Sequence, residues 1–181
     1  MKKPKIYIVL TQTYTSVARM IRLFTKDKYS HASLSLDKSC TEMYSFGRKY
    51  NTLPLPGIFK QENIHQGLFV SNPNSLVAIY ELEITAYQYK KILKKINEIK
   101  ETNKGYNIIG LVLAKFQIKL NRKKYYCSEF VYETLSTEKV NILSKTHPVF
   151  RPIELTEIEG LKLIFEGKIK DYKGEENETN N

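Results

Sequence analysis

The stretch Ser30-His31-Ala32-Ser33-Leu34-Ser35-Leu36-Asp37 decides how the chain is read. Ala32, Leu34 and Leu36 alternate with His31, Ser33 and Ser35, the period of two that a half-buried strand requires. The histidine is therefore expected on the polar face of that strand. Asp37-Lys38-Ser39 is turn material, and Thr41 to Phe46 reads as a returning strand that ends at Gly47. The unit is a hairpin that carries an imidazole.

Toward the N-terminus, the β-branched run Ile6 to Thr11 predicts a first strand. Thr15 and Ser16 offer capping hydroxyls for a helix whose apolar face is Val17, Ala18, Met20, Ile21, Leu23 and Phe24. Past the hairpin, Asn51 to Asn74 contains Pro54, Pro56, Gly57, Gly67 and Pro73 and reads mostly as a long surface loop, with a short strand at Leu68 to Val70. Leu76 to Ile84 predicts a strand. Thr85 then caps a helix through Lys100 that places Ile92, Leu93, Ile96 and Ile99 on one side and a lysine-rich face in water.

From Gly105, the apolar residues Ile108, Ile109, Leu111, Val112, Leu113 and Phe116 are dense enough for a largely buried helix, ended by basic Asn121 to Lys124. Tyr125-Tyr126-Cys127-Ser128-Glu129-Phe130-Val131 starts another helix, with Phe130, Val131 and Leu135 toward the core. Pro148 and Pro152 bracket a loop, Leu155 to Leu161 is a short helix, and Leu163 to Tyr172 is a final strand. Residues 1–173 are expected to form a single α+β domain, and the polar stretch 174–181 a disordered tail.

Composition excludes several classes. No apolar run among the 181 residues approaches the ~18 to 20 that a membrane-spanning helix needs. Ile6 to Leu10 is too short for a signal peptide's apolar region, which predicts a cytoplasmic protein. Two cysteines, Cys40 and Cys127, are too few for a disulfide framework or a zinc site, so neither metal nor other cofactor is expected. The 29 basic and 19 acidic residues leave a net charge of +10. The lysines are scattered rather than blocked, which suits weak association with anionic lipid or polymer and no specific nucleic acid.

With three histidines in the chain, an imidazole base must be His31, His65 or His147. His65 and His147 fall in loops, whereas His31 is fixed near the start of a strand, where a catalytic base can be held rigidly. At the start of a helix, Cys127 meets free N–H groups and the positive dipole end, which favour thiolate. The same N–H groups, Ser128's among them, suit an oxyanion. Cys40, in a turn, has no such arrangement. Taken singly, a buried cysteine and a hydrogen-bonded strand histidine also fit purely structural roles.

His31 in Tyr-Ser-His-Ala-Ser-Leu-Ser-Leu-Asp, followed about a hundred residues later by Cys127 in Tyr-Tyr-Cys-Ser-Glu-Phe-Val, resembles the circularly permuted NlpC-type papain-like cysteine hydrolases, notably the YiiX/YebB-like branch. In that branch histidine precedes cysteine. The resemblance runs from the first strand to the closing Leu163 to Tyr172.

It implies a permuted papain-like fold, an antiparallel sheet or partial barrel packed against helices, with the nucleophile opening a central helix. It also implies a third polar residue on the strand after His31. The family often carries there a hydrophobic residue, then Glu, Asp, His, Asn or Gln, then a small one. Met43-Tyr44-Ser45 matches this with Tyr44 at the polar position. A phenol orients an imidazole without supplying negative charge, and Glu42 on the same strand face is the alternative source of that charge. Tyr106-Asn107 resembles the segment that lines the family's oxyanion side.

The implied activity is that of a cysteine amidase or peptidase, a Cys127–His31 dyad or triad acting on a peptide, amide or acyl substrate through a thioester. An acyltransferase or lipase-like thiol enzyme acting on lipid is the alternative within the family. A non-catalytic basic binding module is the alternative outside it.

Overall fold

Among the described residues, six strands form one open antiparallel sheet, in the order β4-β3-β2-β1-β5-β6. They are β1 (Lys5–Thr11), β2 (His31–Ser35), β3 (Met43–Arg48), β4 (Gly57–Glu62), β5 (Leu76–Glu83) and β6 (Lys162–Lys168). The computed structural model describes residues 3–12, 27–48, 57–103, 126–136 and 151–174. The helices expected over 17–24 and 105–116, the residues Tyr106 and His147, and the stretch 175–181 lie outside the described residues.

The most hydrophobic strand sits centrally. β1 pairs with β2 on one side, Leu10 opposite Ala32, and with β5 on the other, Leu10 opposite Ala78. Its residues alternate between two cores, as the pleat demands. Ile6, Ile8 and Leu10 join Ala32 and Leu34 on one face, whereas Tyr7 and Val9 join Met43, Val77 and Ile79 on the other. Both faces are covered, which explains why this strand reads as a continuous apolar run.

On the first face lie α2 (Ala86–Asn103) and α3 (Tyr126–Ser136). Ile92, Ile96 and Ile99 of α2 and Phe130, Val131 and Leu135 of α3 are buried there. Thr85 starts α2 through a reciprocal cap. Its hydroxyl accepts from the Gln88 N–H at 3.1 Å, and the Gln88 side chain accepts from the Thr85 N–H at 2.8 Å. Lys95 ties the helices together by donating to the Glu133 carbonyl at 2.7 Å. The second face is closed by α1 (Gly67–Ser71), through Phe69, and by a 3-10 turn at Ile169–Asp171.

Four expectations change. Leu68 to Val70 is the middle of α1, not a strand. The surface loop expected over Asn51 to Asn74 contains β4, which among the described residues is an edge strand paired with β3. An edge strand preceded by Pro54 and Pro56 need not show the alternation of a half-buried one. The helix expected over Leu155 to Leu161 is a 3-10 helix at Pro152–Glu157, with proline in its first turn. The last strand ends at Lys168, because the N–H groups of Ile169 and Lys170 turn to the carbonyls of Ser75 and Pro73. Among the described residues, no helix is long and apolar enough to cross a membrane.

Candidate active site

The β2–β3 ladder holds Ser35 opposite Met43 and Leu34 opposite Tyr44, and there it ends. At the other, turn-side end of the ladder the Leu36 N–H donates to the Glu42 carbonyl at 3.1 Å. Alternate residues of a strand point their N–H groups the same way, so those of Leu34 and Ala32 also face β3. The Ala32 N–H lies past the end of the ladder, and it hydrogen-bonds to the Cys127 sulfur. The end of α3 that carries Cys127 therefore meets the sheet where β2 and β3 stop pairing.

An aromatic cluster fixes α3 in that position. The Phe130 ring lies 5.5 Å from that of Phe46 on β3 and 5.4 Å from that of Phe59 on β4. Offset and edge-on contacts at such separations are favourable. Cys127 is the second residue of α3, so its own N–H and that of Ser128 belong to the four that an α-helix leaves free. The Ser128 N–H also donates to the Cys127 sulfur.

His31 opens β2 and hydrogen-bonds to the sulfur. Its Nε2 faces the other way, 3.2 Å from Oε2 of Glu62, the last residue of β4. With Nε2 so engaged, Nδ1 is the ring nitrogen left for Cys127. Ser33 and Ser45 donate to the same Glu62 oxygen, at 2.9 and 2.8 Å. Sulfur, imidazole and carboxylate thus form one hydrogen-bonded line drawn from α3, β2 and β4.

The electrostatics follow from this line. Burial alone would lower the His31 pKa, but the Glu62 charge and the bonds to Cys127 and Glu62 outweigh it and raise it to about 10. Burial would likewise raise Glu62, and the His31 charge with the His31, Ser45 and Ser33 hydrogen bonds lowers it to about 2. Burial opposes ionisation of Cys127 as well. The His31 bond and charge and the N–H groups of Ala32 and Ser128 overcome it, so the thiol is more acidic than usual. Cys40 is the contrast: fully buried in the second core, its thiol is pushed up to about 12, first by burial and then by Asp37.

The residues expected to form a site divide clearly. Cys127, His31 and the Ser128 backbone come together, and Tyr44 and Glu42 do not join them. Tyr44 faces the first core with Ala32 and Leu34, the sheet face opposite His31. Its hydroxyl donates to Glu42 and accepts from Lys100 at 2.6 Å. The strand after β2 contributes Ser45 instead, and the carboxylate comes from one strand further on. Glu62 was legible in one respect, as the only acidic residue between Asn51 and Asn74.

His65 is exposed in the turn before α1. The Ser128 hydroxyl is buried, with no hydrogen-bond partner among the described residues. Among the described residues, no group of three or more His, Cys, Asp or Glu side chains is placed to hold a metal ion.

The chain matches no family model, no curated protein and no solved structure.

Proposed function

We propose that the chain is a cysteine hydrolase of the amidase or peptidase kind, with a Cys127–His31–Glu62 triad in a permuted papain-like arrangement. The observation that carries this reading is the continuous line from the Cys127 sulfur through His31 to the partly buried Glu62 carboxylate. A nucleophile beside a base, with the base oriented by a third group, is the arrangement that activates a thiol. The α+β architecture and a cysteine at the start of a packed helix agree with the resemblance.

In the resting enzyme the proton of Cys127 resides on His31, and Glu62 balances the imidazolium. The thiolate attacks the carbonyl carbon of the substrate, a C–S bond forms, and the carbonyl π pair moves to oxygen. The backbone N–H groups of Cys127 and Ser128 stabilise that oxyanion. Collapse expels the amine, which takes its proton from His31 and leaves a thioester on Cys127. His31 then draws a proton from water, which attacks the thioester, and the carboxylic acid product departs as the thiolate–imidazolium pair returns.

A panel of N-acyl amides, short peptides and a phosphatidylcholine vesicle, each assayed with intact-mass analysis of the protein, tests the reading. Hydrolysis of amides or peptides with a transient acyl adduct on Cys127, absent in Cys127→Ala, is the expected result. Acyl adducts from the vesicle alone would move the assignment to lipid acyl transfer. No adduct from any substrate, together with salt-sensitive binding unchanged in Cys127→Ala, would favour a basic binding module.

A further inference from the structure

Glu62 is an unusual orienting group, because two interstrand spacings of about 4.8 Å separate β4 from β2. To meet His31, its side chain must lie across β3. The residue it crosses is Ser45, small enough to let it pass and buried in doing so. On β2, Ser33 stands two residues from His31 and therefore on the same face. Three strands thus supply one polar surface: His31 and Ser33 from β2, Ser45 from β3 and Glu62 from β4.

Both hydroxyls are spent on the same atom. Ser33 and Ser45 each donate to Oε2 of Glu62, the oxygen that faces His31. Ser33 also lies 3.3 Å from His31 Nε2, so its oxygen accepts from the imidazolium while its proton goes to the carboxylate. A glutamate has three side-chain torsions and gains hydration by swinging outward, so a long reach to one target needs anchors.

We propose that Ser33 and Ser45 are positioning residues whose paired hydroxyls hold one Glu62 oxygen over β3 and against His31, setting the reactivity of Cys127. This rests on the triad reading and adds to it the groups that keep the triad assembled. Among the described residues, the charged groups acting most strongly on His31 are Glu62 from β4 and Cys127 from α3, and His31 acts most strongly on Glu62. Loss of either serine hydroxyl frees the carboxylate to leave the imidazole, and the thiolate then loses its counter-charge.

The test is the pH profile of Cys127 alkylation by iodoacetamide, read by peptide mass against Cys40 as internal reference. Ser33→Ala and Ser45→Ala are each expected to slow alkylation at pH 7 by about tenfold and to move the thiolate-forming limb of the profile toward higher pH. Ser45→Thr and Ser45→Val have nearly the same shape and differ in the hydroxyl. Threonine is expected to keep more of the wild-type profile than valine, whatever both lose through crowding.

A wild-type profile in Ser33→Ala, with threonine and valine alike at position 45, would overturn the positioning role while leaving the triad standing. A wild-type protein in which Cys127 reacts no faster than Cys40 would instead remove the triad reading itself.

Discussion

Glu62 and His31 stand two strands apart in the sheet, yet Oε2 of one lies 3.2 Å from Nε2 of the other. Their side chains are 16% and 14% exposed, so the contact is only weakly screened by solvent. Each partner's pKa moves in the direction that charges it, which makes the pair a source of stability and, on the proposed function, of reactivity.

The Glu62→Gln variant keeps the shape of the side chain and removes its charge. Without the carboxylate, imidazolium is no longer favoured, and the fraction of Cys127 present as thiolate falls. We expect a loss of about 10²- to 10⁴-fold in hydrolysis, in the range found when a triad carboxylate is neutralised. The thiolate-forming limb of the alkylation profile should move to higher pH, because the imidazolium that lowers the Cys127 pKa is no longer held. Steady-state kinetics with pH-dependent alkylation would check both.

Tyr44→Phe should behave differently. It deletes the hydroxyl that joins Glu42 and Lys100, at an expected cost of about 1–3 kcal/mol in folding stability. Cys127 alkylation should keep its wild-type rate and pH dependence, because the hydroxyl lies on the sheet face away from His31. Urea denaturation and thiol labelling on the same sample separate the two effects.

The pair also predicts how stability varies with pH. Glu62 is lowered from 4.5 to about 2, so its contribution is complete above pH 4.5 and is lost as pH falls through about 2. His31 is raised from 6.5 to about 10, so its contribution is complete below pH 6.5 and is lost as pH rises through about 10. The excess stability of the wild type over Glu62→Gln should therefore be flat between pH 4.5 and 6.5 and shrink on both sides. Near pH 6 that excess is expected to be about 3 kcal/mol, the scale for breaking a buried pair. Urea titrations across pH 3 to 9 would measure it.

Phe130→Leu tests whether the aromatic anchor positions the sulfur. The substitution preserves an apolar core residue and should cost only about 1–1.5 kcal/mol of stability. It removes the ring contacts to Phe46 and Phe59, and with them the fixed approach of α3 to the sheet. Alkylation of Cys127 in the folded protein should slow several-fold, whereas the melting transition stays cooperative.

Periodicity made much of this legible. The alternation from His31 to Leu36 gave β2 its faces, and Thr85 announced α2 through its cap. The start of α3 put Cys127 among free N–H groups, which is a local property and so readable from a local pattern. The partner of His31 was not local. A reading that looks to the next strand finds Tyr44, but the pleat turns Tyr44 to the opposite face, and the carboxylate arrives from an edge strand hidden in a Pro- and Gly-bearing stretch. The choice of Glu62 over Glu42 is decided by tertiary pairing of β3 with β4, Met43 opposite Glu62, which no short-range pattern encodes.

On the proposed function, His31 and Glu62 together make one cysteine of this chain, Cys127, a nucleophile. Competitive alkylation of the native protein at pH 7, with each cysteine quantified by peptide mass, tests it most directly. Cys127 is expected to be modified about a hundredfold or more faster than buried Cys40, and His31→Ala to remove most of that advantage. Equal rates at the two cysteines, or an advantage that survives His31→Ala unchanged, would contradict it.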